Sequence, residues 1–192
     1  MAINPHVYDR WEQVKTRHGL PVDLVVSALQ KELRRGHTEN AAMLAYEMSM
    51  SSEELEEKLW TRLTVISVED TGCGDLLAPI LINNLYHMHH RFTREEGDRY
   101  VFAIHAVRYL CTREKDRGSD EMLNWIRWQV EKNGAVPTIP DYAYDMHTGE
   151  GKRMGKGLRY FYEVGSQVDP ELPGRDLTYR ARMLALLDEA GE

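Results

Sequence analysis

Residues 21–66, PVDLVVSALQKELRRGHTENAAMLAYEMSMSSEELEEKLWTRLTVI, decide the fold. Val22, Val25, Val26, Leu29 and Leu33 recur at the spacing that lines one face of an α-helix; Pro21 suits its first turn and Gly36 the position just past its last. Thr38 is placed to cap a second helix over 38–50, rich in helix-favouring Ala and Met, and the short Gly36-His37 connection makes it an antiparallel neighbour of the first. Ser51 and Glu54 stand at capping-box spacing for a third helix. Glu53, Glu54, Glu56 and Glu57 fall where the helix dipole favours anions, and Leu55, Leu59, Leu63 and Ile66 form its inward stripe.

Working outward, Gly72-Cys73-Gly74 ends this element and Asp75 can cap a fourth helix with apolar positions Leu77, Ile80, Leu81, Leu85 and Met88. A fifth helix is expected over 95–112, and a sixth over 119–132, closed by Asn133-Gly134 and Pro137. A helix around 7–17 precedes them and one around 176–189 follows. With no alternating strand pattern, the sequence predicts an all-α bundle of about eight helices. Residues 134–175, rich in Gly, Pro, Tyr and charge, lack a helical stripe and are expected to form a long irregular segment. Tyr142, Tyr144, Tyr160, Phe161 and Tyr162 favour order there, with the segment lying on the bundle. The expected organisation is an N-terminal helix or extension over 1–19, a helical core over 20–133, and a segment with a C-terminal helix packed on that core over 134–192.

The chain has 192 residues, 42% hydrophobic and 29% charged, enough for one sizeable core. A net charge of −7 excludes a surface that is wholly a nucleic-acid or anionic-membrane footprint and leaves room for a local basic patch. No run approaches the roughly 18 apolar residues of a membrane span, and Met1 to Arg17 is too polar for a signal peptide, so a cytoplasmic protein without membrane association is expected. Cys73 and Cys111 form no CxxC; reduced thiols in small apolar roles are expected rather than a disulfide framework or zinc knuckle.

The chain contains no phosphate loop, dinucleotide fingerprint, GxSxG elbow or HExxH helix, so no catalytic residue and no cofactor is assigned. His87 and His90 share a helix face while His89 points elsewhere; the expectation is surface or helix-end histidines, with no metal. Glu69 and Asp70 end a helix at the pole where negative charge is unfavourable, so a basic partner or a cap is expected. A different reading joins His87 and His90 to Glu69 and Asp70 as a small metal-dependent or hydrolytic enzyme. Between Thr148 and Arg159, Lys152, Arg153, Lys156 and Arg159 alternate with glycines that let backbone N–H groups approach an anion, the pattern of a phosphate or nucleic-acid contact. The competing reading is a glycine-permitted turn whose cations pair with the surplus carboxylates of the protein.

The order of segments 26–48 (VSALQKELRRGHTENAAMLAYEM) and 62–75 (RLTVISVEDTGCGD), then Tyr109-Leu110-Cys111-Thr112, resembles the C-terminal helical region of the replication-associated recombination protein A family, also called MgsA, AAA+ ATPases related to clamp loaders. The first motif is similar to that family's paired-helix pattern through Gln30, Lys31, Arg35, Gly36, Ala41, Ala42, Leu44, Ala45 and Met48. The second resembles its Ser-Glu-Asp-Ile-Gly signature through Ser67, Glu69, Asp70 and Gly72, with Val68 inserted and Thr71 in place of isoleucine. AYDMHTGEGKRMGKG, further on, matches loosely. The similarity covers residues 20–165 and begins after the position of the family's ATPase domain, so no ATPase residue is carried over. The resemblance implies a clamp-loader C-terminal-domain-like collar. It also implies a non-catalytic role in DNA replication or repair, self-assembly as a homotetramer, and contact with DNA or a separate AAA+ ATPase. Trp11, Trp60, Trp125 and Trp128 are candidates for core positions or subunit interfaces.

Overall fold

In a computed structural model, residues 10–191 are described, and every regular element among them is helical apart from an isolated bridge between Lys15 and Pro21. Two compact units divide the chain, 1–135 and 136–192. In the first, five helices form a bundle: α1 (Val22–Arg35), α2 (Thr38–Ser51), α3 (Glu53–Glu69), α4 (Ala78–His89) and α5 (Asp98–Thr112); α6 (Gly118–Glu131) follows. Helix α1 lies on α2, α2 contacts α3 and α5, and α4 lies on α3 and α5.

The stripes read for α1 and α3 are those that pack. Val22, Val25, Leu29 and Leu33 of α1 and Leu55, Leu59, Leu63 and Ile66 of α3 are buried, and Val26 is partly so. Each fully buried leucine contributes about 1.5–3 kcal/mol before the entropy of ordering it is charged against the gain. Gly36 stops α1 in the left-handed region at φ 74°, where its N–H bonds Leu33 O and the N–H of His37 bonds Glu32 O. Ala41, Ala45 and Met48 bring α2 close to its neighbours.

Several local expectations move. Residues 10–13 form a single 3-10 turn that buries Trp11, rather than part of a helix over 7–17; residues 7–9 lie outside the described residues. Thr38 is the first residue of α2, and its hydroxyl reaches Gly36 O at 3.4 Å instead of capping. Ser52, not Ser51, caps α3 by accepting from the Leu55 N–H at 3.1 Å, while Ser51 ends α2 and donates to Glu47 O. In α4 the inward stripe is Ala78, Ile82, Leu85 and His89; Leu77, Ile80 and Met88, expected inside, are exposed. Cys111 is buried, but Cys73 is exposed.

The second unit holds the segment expected to be irregular. A 3-10 turn at Asp141–Ala143, α7 (Gly149–Arg153), α8 (Leu158–Tyr160) and a π-helical turn at Phe161–Gly165 replace the expected featureless run, and α9 (Thr178–Ala190) closes the chain. Arg180 donates to Tyr162 O at 2.7 Å and Arg159 pairs with Asp188, tying α9 to the π turn and α8.

Glu47 fixes the extended stretch before α1. It accepts from Arg17 Nε at 3.2 Å and from the backbone N–H of His18 at 3.2 Å, and its carboxylate lies 2.7 Å from His18 Nδ1. Burial raises its pKa, but the bonds from Thr16, His18 and Arg17 outweigh that and hold it at about 2. A carboxyl depressed in the folded state stabilises fully above its unfolded value of 4.5, and the contribution is lost as pH falls toward 2. An acid titration of stability should therefore show a loss on the order of 2 kcal/mol across this window, allowing for solvent screening around His18. Glu47→Gln should be less stable at neutral pH and should flatten that limb; an unchanged limb would remove Glu47 as its source.

Candidate functional site

Two sites in the first unit follow from one buried carboxylate. Asp70, at the end of α3, has no exposed surface, and unpaired charge there would cost several kcal/mol. Four side chains answer it and its neighbour Glu69. From α1, Gln30 Nε2 donates to Glu69 at 2.8 Å and to Asp70 at 3.0 Å, and Arg34 Nε donates to Asp70 Oδ1 at 2.5 Å. From the segment before α6, Arg117 reaches Asp70 Oδ1 at 2.6 Å and Glu69 at 3.4 Å, and also pairs with Asp120. Arg62 lies 4.0 Å from Glu69. The hydrogen bond to Asp70 leads the causes that raise the Arg117 pKa. The basic partner expected for Glu69 and Asp70 is therefore three arginines and an amide, and the pair is engaged as a structural clamp.

Backbone completes the joint. The Asp116 N–H bonds Asp70 O at 3.1 Å, and its carboxylate accepts from the N–H groups of Cys73 (3.1 Å) and Gly118 (2.9 Å). Gly72 sits at φ +50°, and a Cβ there would stand 2.3 Å from Asp116 O; one on Gly74 would stand 2.6 Å from Glu114 O. Both glycines are required by close backbone approach. Of the other residues singled out with this signature, the Ser67 hydroxyl donates to Thr64 O at 2.7 Å, Lys31 bonds Ser27 and Arg35 bonds Lys31 O at 3.1 Å.

This joint roots α6, which meets the bundle at α3 and the Gly72–Gly74 turn. Beyond its root the helix has no buried residue. Met122, Leu123, Trp125, Ile126 and Val130 share a broad face, with Trp128 on its margin, and both tryptophans are 61% exposed. Trp11 and Trp60, by contrast, are core residues. No other helix of the first unit covers this face.

The basic loop of the second unit is largely self-neutralised. Lys156 bonds Asp141 Oδ2 at 2.9 Å and the Tyr160 hydroxyl at 3.1 Å and lies over the Tyr160 ring, Arg153 pairs with Glu150, and Arg159 pairs with Glu163 and Asp188. Lys152 is exposed. The glycines serve packing: Gly151 donates to Thr148 Oγ1, which caps α7, and a Cβ on Gly151 would lie 2.0 Å from Asp145 O. The Gly155 N–H is taken by Lys152 O.

The histidines separate by burial. His87 and His90 are exposed, but His89, expected near the surface, is fully buried against Trp60 with ring centroids 4.7 Å apart. His90 pairs with Glu57 at 3.4 Å, whereas Glu69 and Asp70 are held by the arginines, so His90 and the two acids of the alternative hydrolytic reading are drawn to different partners. Among the described residues, Glu57, His89 and His90 form a group able to hold a metal ion. Sequence reasoning passed over Glu57, whose proximity to the histidines depends on how α3 and α4 pack.

Compared with protein families and with curated proteins, the chain matches neither a family nor an individual protein.

Asp70→Asn keeps the volume but leaves Arg34 and Arg117 facing a neutral group, and should cost about 3–5 kcal/mol in urea denaturation. A loss under 1 kcal/mol would mean that the arginines are satisfied by Glu69 alone.

Proposed function

We propose that this chain is a non-catalytic helical module that assembles with copies of itself through the apolar face of α6 and serves DNA replication or repair machinery. The observation that carries the reading is α6 itself, an amphipathic helix whose root is fixed by buried ion pairs while Met122, Trp125 and Ile126 stand in solvent. Exposed apolar stripes containing tryptophan are characteristic of interaction surfaces. A second copy fits because apolar helix faces are complementary to themselves under two-fold symmetry and need no charge matching.

The collar resemblance supplies the context. Gln30 from one of its motifs meets Glu69 and Asp70 from the other, and Gly72 admits Asp116 beside them, so four of the residues carrying the resemblance act as one joint. On this reading four copies bring their α6 helices into one bundle related by two-fold axes, and the resulting tetramer contacts DNA or a separate AAA+ ATPase. Surface ion pairs exchange readily for phosphate, so a DNA contact would fall to Lys152 and Arg153, with Lys156 and Arg159 retained as structural cations.

Size-exclusion chromatography with light scattering tests assembly. The unmodified chain should run as an oligomer, and Trp125→Asp combined with Ile126→Asp should run as a single chain with unchanged helical circular dichroism. A single chain at every concentration would reject the reading. Adding labelled forked DNA at two salt concentrations tests the contact: Lys152→Glu with Arg153→Glu should remove the salt-sensitive shift, and an equal shift in that variant would assign DNA binding elsewhere.

A further inference from the structure

Glu57 on α3 and His89 and His90 at the end of α4 each offer a ligand atom, all within 4.8 Å of one another. Three features distinguish this group from a chance cluster. His89 is fully buried, its ring stacked on Trp60 with centroids 4.7 Å apart, so its position is fixed before any ion arrives. Its Nδ1 contacts the Tyr86 carbonyl, which fixes the proton on Nδ1 and leaves Nε2 as a bare lone pair. That Nε2 is enclosed and has no hydrogen-bond partner among the described residues, a costly condition unless something binds it. Glu57 is oriented in turn by the Tyr86 hydroxyl, which donates to Oε2 at 2.9 Å, while its other oxygen lies 3.4 Å from His90 Nε2.

We propose that Glu57, His89 and His90 bind one divalent ion of borderline softness, zinc being the best match. Two imidazoles and a carboxylate are the donors such an ion takes, at about 2.0–2.2 Å in tetrahedral geometry, with the fourth position open to water. Ligand atoms at that distance stand roughly 3.4 Å apart, so the half-exposed Glu57 and His90 close inward on the fixed His89. Glu57, Trp60 and Tyr86 also line a hollow of about 310 Å³ beside the group. The neighbouring arginines do not compete for Glu57: Arg94 and Arg99 are held by the buried Glu56, and Arg99 also donates to His89 O at 3.2 Å. The ion would pin the end of α4 to α3.

The test is titration of untagged, chelator-stripped full-length chain with zinc against a chromophoric chelator, followed by cobalt substitution read from its visible spectrum. One ion per chain is expected, with the absorption of a low-coordinate cobalt site. His90→Asn and Glu57→Gln, both at half-exposed positions, should each lower affinity at least about tenfold with unchanged circular dichroism, while His87→Asn should leave it unchanged. Absence of stoichiometric binding at micromolar zinc would overturn the proposal and leave water as the occupant beside His89. Undiminished binding in both His90→Asn and Glu57→Gln would equally overturn it. Each result is independent of the oligomeric state.

Discussion

A carboxylate with no access to water governs the first unit. Once Asp70 is placed at the end of α3, its charge must be matched within hydrogen-bond reach, and the matching groups come from segments far apart in the chain: Gln30 and Arg34 on α1 and Arg117 ahead of α6. Removing either side would strand the other, so the three segments are bound to one geometry even though the net gain from a buried ion pair is small. The crowding at Gly72 and Gly74 follows, because the chain that delivers Arg117 runs directly against their backbones.

The same solution recurs twice. Buried Glu56 on α3 is met by Arg94 and by Arg99 of α5, and buried Glu47 on α2 by Arg17 and His18. Apolar stripes bring the helices together, and these inward-drawn carboxylates fix how they are seated, so part of the acidic surplus does structural work inside the bundle. Helix α6 is the exception. Its root is over-determined and no other helix of the first unit buries its body, an unequal distribution of contacts that fits a surface completed by association.

Much of this was legible in the sequence where periodicity and burial agree. The stripes of α1 and α3 and the glycine stop at Gly36 were of that kind. Helix α4 was misread because Leu77, Ile80 and Met88 are the more hydrophobic residues, while the stripe that packs includes Ala78 and His89, which a count of apolar side chains does not select. The bounds of α6 were legible, but whether Trp125 and Trp128 lie in the core or at an interface was not, since that depends on neighbours. For the basic loop, composition offered both an anion contact and cations paired with the protein's own carboxylates; that Asp141, Glu150, Glu163 and Asp188 are those carboxylates depends on the fold.

Self-association through α6 is the central claim, and the tryptophans report on it directly. Trp11 and Trp60 are buried in the bundle and should be silent, so a change in iodide quenching of intrinsic fluorescence with protein concentration reads Trp125 and Trp128. The account predicts that these two are shielded in concentrated solution and become quenchable, with a red shift in emission, as the chain is diluted. Full quenching of both at the highest concentration would contradict it.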